Sequence, residues 1–164
     1  MALIKSVNDN TPKWGEGCYF SENATIAGDV TMGKDCSIWF NAVLRADVDY
    51  IKIGDRVNVQ DGCCIHETTG IPVAIEDDVT IGHNATVHGA TIHKGALIGM
   101  GSTLLDHSEV GEGSIVAARA LVLPGTKIPA HEIWGGVPAK FLKKISPGRA
   151  AEFSKHYMVM KEWY

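Results

Sequence analysis

The chain has no run of lysine or arginine, and its 15 basic against 19 acidic residues leave a net charge of −4. That removes the electrostatic footprint of a nucleic-acid or anionic-membrane binder. No apolar run approaches the length that spans a bilayer. Met1 to Lys5 is followed by Asp9, Asn10 and Pro12, so no secretion signal is expected. Cysteine is sparse: Cys18, Cys36, Cys63 and Cys64 include no CxxC spacing, and the vicinal pair is poor geometry for an ordinary disulfide. These four read as small core or corner fillers rather than as a redox or metal centre. The expectation is a single cytoplasmic domain, with 164 residues enough to bury a real core.

What is present is a repeat. From Ile26 an aliphatic residue recurs every six positions as Ile26, Met32, Ile38 and Leu44. Further series run Ile53, Val59, Ile65; Ile75, Ile81, Val87; and Ile92, Ile98, Leu104, Val110, Val116, Val122, Ile128. Four positions after each lies something small or branched, such as Cys36, Ala42, Cys63, Ala85 or Ser102. A period of six is neither helical nor a plain alternating strand, and several series sharing that spacing argue against an ordinary sandwich. It fits an all-β solenoid, a parallel β-helix in which each hexad is one short strand and one corner. The aliphatic points inward, while the small residue and the frequent following Gly let the chain turn. Three faces close a coil of about 18 residues, with coils about 4.8 Å apart.

The series break three times: an insertion around residues 48–52, a small protruding loop at 67–72, and a one-residue deletion between Val87 and Ile92. Residues 1–17 read as an N-terminal cap, 18–132 as the β-helix and 133–145 as a turn-rich exit over its open end. Ser146 and Pro147 are expected to start a C-terminal helix over 146–164, with Phe153, Tyr157 and Met160 on its packing face.

The period decides which histidines can meet. Arg45, His66 and His88 each directly follow an inward aliphatic of face one, in three successive coils. Two outward imidazoles one strand apart can share a metal ion. Gln60, Asp61 and His83 fall on face three, which cannot reach that column within one prism. A neighbouring copy can bring it there. The arithmetic therefore predicts a homotrimer in which His66 and His88 of one chain and His83 of the next bind one metal, leaving a fourth position for water. Arg45 and Asp47 suit an ion pair across the interface. Asp61 suits a turn before Gly62 as well as the site, and Gln60 suits either interface pairing or a hydrogen bond to the metal's water. His93, His107, His131 and His156 fall elsewhere.

The hexads together with Arg45-Ala46-Asp47, Gln60-Asp61-Gly62, His66, His83-x4-His88-Gly89 and the Trp134-Gly135-Gly136-Val137-Pro138-Ala139-Lys140 exit resemble the γ-class carbonic anhydrases over nearly the whole chain. The resemblance implies a left-handed β-helix, a homotrimer and zinc, with iron or another divalent transition metal as alternatives. It implies His66, His83 and His88 as metal ligands, Gln60 and Asp61 beside them, and Arg45 with Asp47 as the interface pair. The implied reaction is a lyase's reversible hydration of CO2 to bicarbonate by a metal-bound hydroxide. The best-studied members have Glu where this chain has Val48, and an acidic loop where it has Glu67-Thr68-Thr69-Gly70. Glu67 and Tyr157 are the candidate proton carriers in their stead. The alternatives are a CoA-dependent acyltransferase on the same helix, which commonly carries a longer loop than 67–72, and a low-activity metal-binding homologue.

Overall fold

In a computed structural model describing residues 1–150 and 152–164, the hexads wind into a left-handed parallel β-helix of about seven turns. One face stacks Ile26, Leu44, Ile65, Val87, Leu104 and Val122 in register. The second stacks Met32, Ile53, Ile75, Ile92, Val110 and Ile128. The third stacks Ile38, Val59, Ile81, Ile98, Val116 and Trp134. Apart from Trp134, every one of these side chains is at most 3% exposed, so the period-six series is the core. Each buried aliphatic contributes roughly 1.5–3 kcal/mol of transfer free energy. The first two faces form one sheet because strands Thr25–Met32 and Val43–Ile53 run continuously round their shared corner.

The corners turn differently from the expectation. The left-handed residue is the one just before the small position: Asp35, Asn41, Arg56, Asp78 and Asn84 all have φ between 55° and 60°, ahead of buried Cys36, Ala42, Val57, Val79 and Ala85. Asn and Asp tolerate this conformation because their short side chains bond locally. The Gly that follows an inward aliphatic has another purpose. A Cβ at Gly99 would sit 2.5 Å from the Ala118 nitrogen of the next coil, and one at Gly111 2.5 Å from that of Ala130. These glycines permit close coil stacking rather than turning.

Both ends are more regular than expected, and the helix starts later. Residues 1–17 are an incomplete first coil, since Leu3–Lys5 and Lys13–Trp14 pair parallel with Thr25–Met32. The exit is a hairpin: Glu132–Gly135 continues the third face and Lys140–Lys144 returns antiparallel to it. Lys140, Lys143 and Lys144 put charge on this last strand, which discourages further edge pairing. The helix spans Glu152–Met160, shorter than 146–164, because Pro147–Ala150 is a turn; Ala151 lies outside the described residues. Tyr157 and Met160 are half-buried, whereas Phe153 is exposed. A 3-10 turn at Lys161–Trp163 follows and buries Lys161.

On the second face His93 bridges two carboxylates, with Nδ1 3.0 Å from Glu76 and Nε2 2.9 Å from Glu109. The bond to Glu109 raises the His93 pKa, burial opposes it, and Glu76 adds to it. His93 in turn lowers Glu109, with help from Lys127. A raised histidine pKa means the stabilisation is present at acidic pH and lost as pH rises through the folded value. His93→Gln is therefore expected to lower the melting temperature at pH 6 and to leave it nearly unchanged at pH 9, as thermal unfolding at both pH values would show.

Candidate metal centre

Adjacent strands set the first half of the site. Val43–Ile53, Cys64–His66 and Thr86–His88 pair in parallel, with Arg45 opposite His66 and His66 opposite His88. His88 Nδ1 lies 2.5 Å from Asp106 Oδ1, and His66 Nε2 lies 3.1 Å from Asp47 Oδ1. A carboxylate only accepts at neutral pH, so each of these ring nitrogens is the N–H donor and the other carries the lone pair. The two remaining nitrogens, His66 Nδ1 and His88 Nε2, face each other at 3.1 Å. With both rings neutral, these two nitrogens offer lone pairs to the same gap, where a shared proton or a metal ion would bridge them. Two imidazole ligands on one tetrahedral zinc stand roughly 3.3 Å apart, so the donor set fits such an ion.

The surroundings are acidic. Asp47 also accepts from Arg45 Nη1, so the pair closes within one chain. The Arg45 bond holds the Asp47 carboxyl below its ordinary range, with His66 assisting against desolvation. Asp47, His66 and Glu67 have ligand atoms within 4.8 Å of one another, the one such cluster of three or more among the described residues. Glu67 does not protrude as the 67–72 loop suggested. It is 1% exposed, and its Oε1 accepts from the Val48 and Asp49 amides at 2.9 and 3.1 Å. The carboxylate thus ties the 48–52 insertion to the histidine column, and the protruding part is a tight turn closed between Thr68 and Ile71.

The second half lies on the third face. His83 Nδ1 contacts Asp61 Oδ2 at 2.7 Å, and its Nε2 lies 3.5 Å from the Tyr157 hydroxyl, a long hydrogen bond. Asp61 also accepts from the Phe40 amide, so it serves the turn and the histidine together. Gln60 is 5% exposed; its Oε1 accepts from the His83 amide at 3.2 Å and its Nε2 donates to Asn58 at 3.0 Å. Asn58 donates onward to Thr80 Oγ1, so a buried polar ladder fixes His83 from beneath. Burial raises the Tyr157 pKa, and the Asp61 charge adds to this, so the phenol stays protonated. Beside His83 a cleft of about 430 Å³ runs between the coil and the helix, lined by Gly82, Met100, Ala117, Phe153 and Tyr157.

The structure therefore joins His66, His88, Arg45 and Asp47, and separately joins Gln60, Asp61 and His83. The two groups belong to different sheets. Sequence reading missed Asp106, which holds His88, and the Asn58–Thr80 ladder. Asp106 lies 18 residues after His88, one coil on, where stacking brings them together. Asp106→Asn is expected to weaken zinc binding by about 10–100-fold without changing the fold, checked by competition with a chromogenic chelator.

The family model described as "Hexapeptide repeat of succinyl-transferase" matches residues 72–105. Over 149 residues the chain is 41% identical to the mitochondrial gamma carbonic anhydrase 2 of Arabidopsis thaliana, covering 87% of this chain and 54% of that one. It is 41% identical over 153 residues to a carbonic anhydrase of Geobacillus kaustophilus, covering 93% and 84%. The chain spans a little over half the length of the plant relatives it matches. A Bacillus cereus structure described as an acetyltransferase superposes with a TM-score of 0.96 at 40% identity, covering 99% of this chain and 96% of that one. With relatives this similar over most of its length, the chain belongs to the γ-carbonic anhydrase family of hexapeptide-repeat proteins.

Proposed function

We infer that the protein is a metal-dependent lyase that interconverts CO2 and bicarbonate, assembled as a homotrimer with a site at each subunit interface. The observation that carries this reading is the pair of facing ring nitrogens on His66 and His88, each with its other nitrogen held by a carboxylate. His66 and His88 of one chain and His83 of its neighbour would hold zinc, or iron, which supplies a Lewis acid able to make water nucleophilic near neutral pH. Asp106, Asp47 and Asp61 fix the three imidazoles. Gln60 keeps a second amide N–H for a bicarbonate oxygen, and the apolar cleft beside His83 admits an uncharged gas. Arg45 with Asp47 borders the interface. Glu67 is buried and Tyr157 is held protonated, so proton release falls to buffer at the exposed rim, and turnover should depend on buffer concentration. The working compartment proposed is the cytoplasm; among the described residues no helix is long and apolar enough to cross a membrane.

The test is stopped-flow CO2 hydration on protein of measured metal content. Turnover that scales with bound metal supports the reading, and metal-replete protein without turnover removes it. A second reading, a CoA-dependent acyltransferase, is favoured by the Bacillus cereus neighbour and by the apolar cleft. Saturable acetyl-CoA binding that blocks labelling in this cleft would support it.

A further inference from the structure

The buried carboxylate of Glu67 has no part in the chemistry proposed above, and its contacts give it a different task. The ladder on strand Val43–Ile53 follows Cys64–His66 as far as the pair Arg45–His66 and resumes with Val73–Ile75 at Ile51–Val73. Residues 46–50 and 67–72 lie in the gap between these pairings, and side chains bond across it. Glu67 Oε1 accepts from the Val48 and Asp49 amides at 2.9 and 3.1 Å, and Asp49 Oδ2 accepts from the Gly70 amide at 2.8 Å. Each segment thus lends a carboxylate to the other's backbone, whose amides need an acceptor where the ladder is interrupted. Glu67 is 1% exposed, and its Oε2 has no hydrogen-bond partner among the described residues. Its Oε1 stands 4.0 Å from His66 Nε2, beyond hydrogen-bond reach. Asp47, next to Val48 in the chain, is the residue that touches the ring, with Oδ1 3.1 Å from His66 Nε2. Arg45 holds the other oxygen, Oδ2, from a half-exposed side chain.

We propose that Glu67 is a positioning residue: by clamping the Val48 and Asp49 amides it holds Asp47 against His66, and so fixes the ring that presents Nδ1 to the metal. The proposal rests on the reading of His66 as a metal ligand. Glu67 acts on that ring through Asp47 and not directly, because 4.0 Å is too far for a bond to Nε2. A partner on the second nitrogen of a histidine ligand fixes the ring's orientation, and losing such a partner typically costs about 10–100-fold in metal affinity. The clamp uses one oxygen, Oε1, while Oε2 is unpartnered, so the length of the side chain matters and its charge does not. Two substitutions separate these properties. Glu67→Gln keeps a carbonyl oxygen for the two amides and gives up the charge. Glu67→Asp keeps the charge but is one methylene too short to meet both amides.

The test compares both variants with the wild type as full-length protein. In competition with a chromogenic chelator, Glu67→Asp should bind zinc about tenfold or more weakly, and Glu67→Gln within about threefold of the wild type. Asp47→Ala should also weaken zinc binding by about tenfold or more. Adding Glu67→Asp to Asp47→Ala should then change the affinity by less than about twofold, since the clamp has nothing left to hold. A merely structural role would instead let the two losses multiply. A second readout needs no metal. By NMR of histidine-labelled, metal-free protein, the His66 Nε2–H proton should be visible in the wild type and in Glu67→Gln, and lost to solvent exchange in Glu67→Asp. Zinc binding weakened more by Glu67→Gln than by Glu67→Asp would overturn the proposal in favour of a charge effect. Multiplying losses, or a ring proton that Glu67→Asp leaves unchanged, would overturn it as well. A wild type that binds no zinc would remove the lyase reading, and the ring proton would still decide the role of Glu67.

Discussion

His83→Ala is expected to empty the metal site while leaving the fold in place. The imidazole is outward and about one-third exposed, with side-chain partners in Asp61 and Tyr157, so its removal opens no core cavity. Thermal unfolding should shift by a few degrees at most, because substitutions away from buried features typically cost within about 0.5 kcal/mol. Loss of one of three neutral ligands should reduce bound zinc to a small fraction of a site per chain. CO2 hydration should fall by at least about a thousandfold, since no group remains to acidify water. Metal analysis, circular dichroism and stopped-flow rates on one preparation check all three. Full metal retention would show that His83 is not a ligand.

Gly28→Ala should have the largest effect on stability of any single methyl addition considered. Gly28 has φ +80, and its Cβ would lie 1.8 Å from the Ala46 carbonyl oxygen and 2.6 Å from the Ala46 carbon. Both are backbone atoms in the adjacent strand, at the point where the pairing shifts register to admit the 48–52 insertion. They cannot yield as a flexible side chain would. The left-handed conformation costs about 1–2 kcal/mol for any residue with a Cβ, and the clash adds at least as much, for ~3 kcal/mol or more. At this chain length that is a fall in melting temperature of roughly 6–12 °C. Because Asp47 follows Ala46, the His66 partner moves as well, and metal retention should drop. Gly70→Ala is the control: φ is +76, but nothing lies within 4 Å of its Cβ, so only about 1 kcal/mol is expected. Equal effects at the two sites would refute the packing argument.

Much of this was legible in the residues because a solenoid maps sequence spacing directly onto space. The six-residue interval from Ile26 to Ile128 placed the core, and counting hexads placed His66 beside His88 and His83 on another face. What was not legible came from side chains leaving their columns. Glu67 looked like part of a polar loop, yet it turns inward because the Val48 and Asp49 amides of the insertion need an acceptor. Asp106 lies one coil from His88 with no motif linking them. The helix starts late because Pro147 and Gly148 form a turn before it, and the exit hairpin closes through backbone pairing that turn-rich composition disguised. Gly99 and Gly111 show the same lesson: a local rule for turning was the wrong reason for a residue set by the next coil.

We propose that no single chain holds a complete site. The direct test mixes two inactive variants, His83→Ala and the double variant His66→Ala/His88→Ala, after unfolding and co-refolding them in equal amounts. In a cyclic trimer every mixed assembly contains one intact interface, so about a quarter of all sites should be restored. Zinc binding and CO2 hydration should both recover to about that fraction. Mixtures no more active than either variant alone, or full activity in one of the variants by itself, would contradict the shared site.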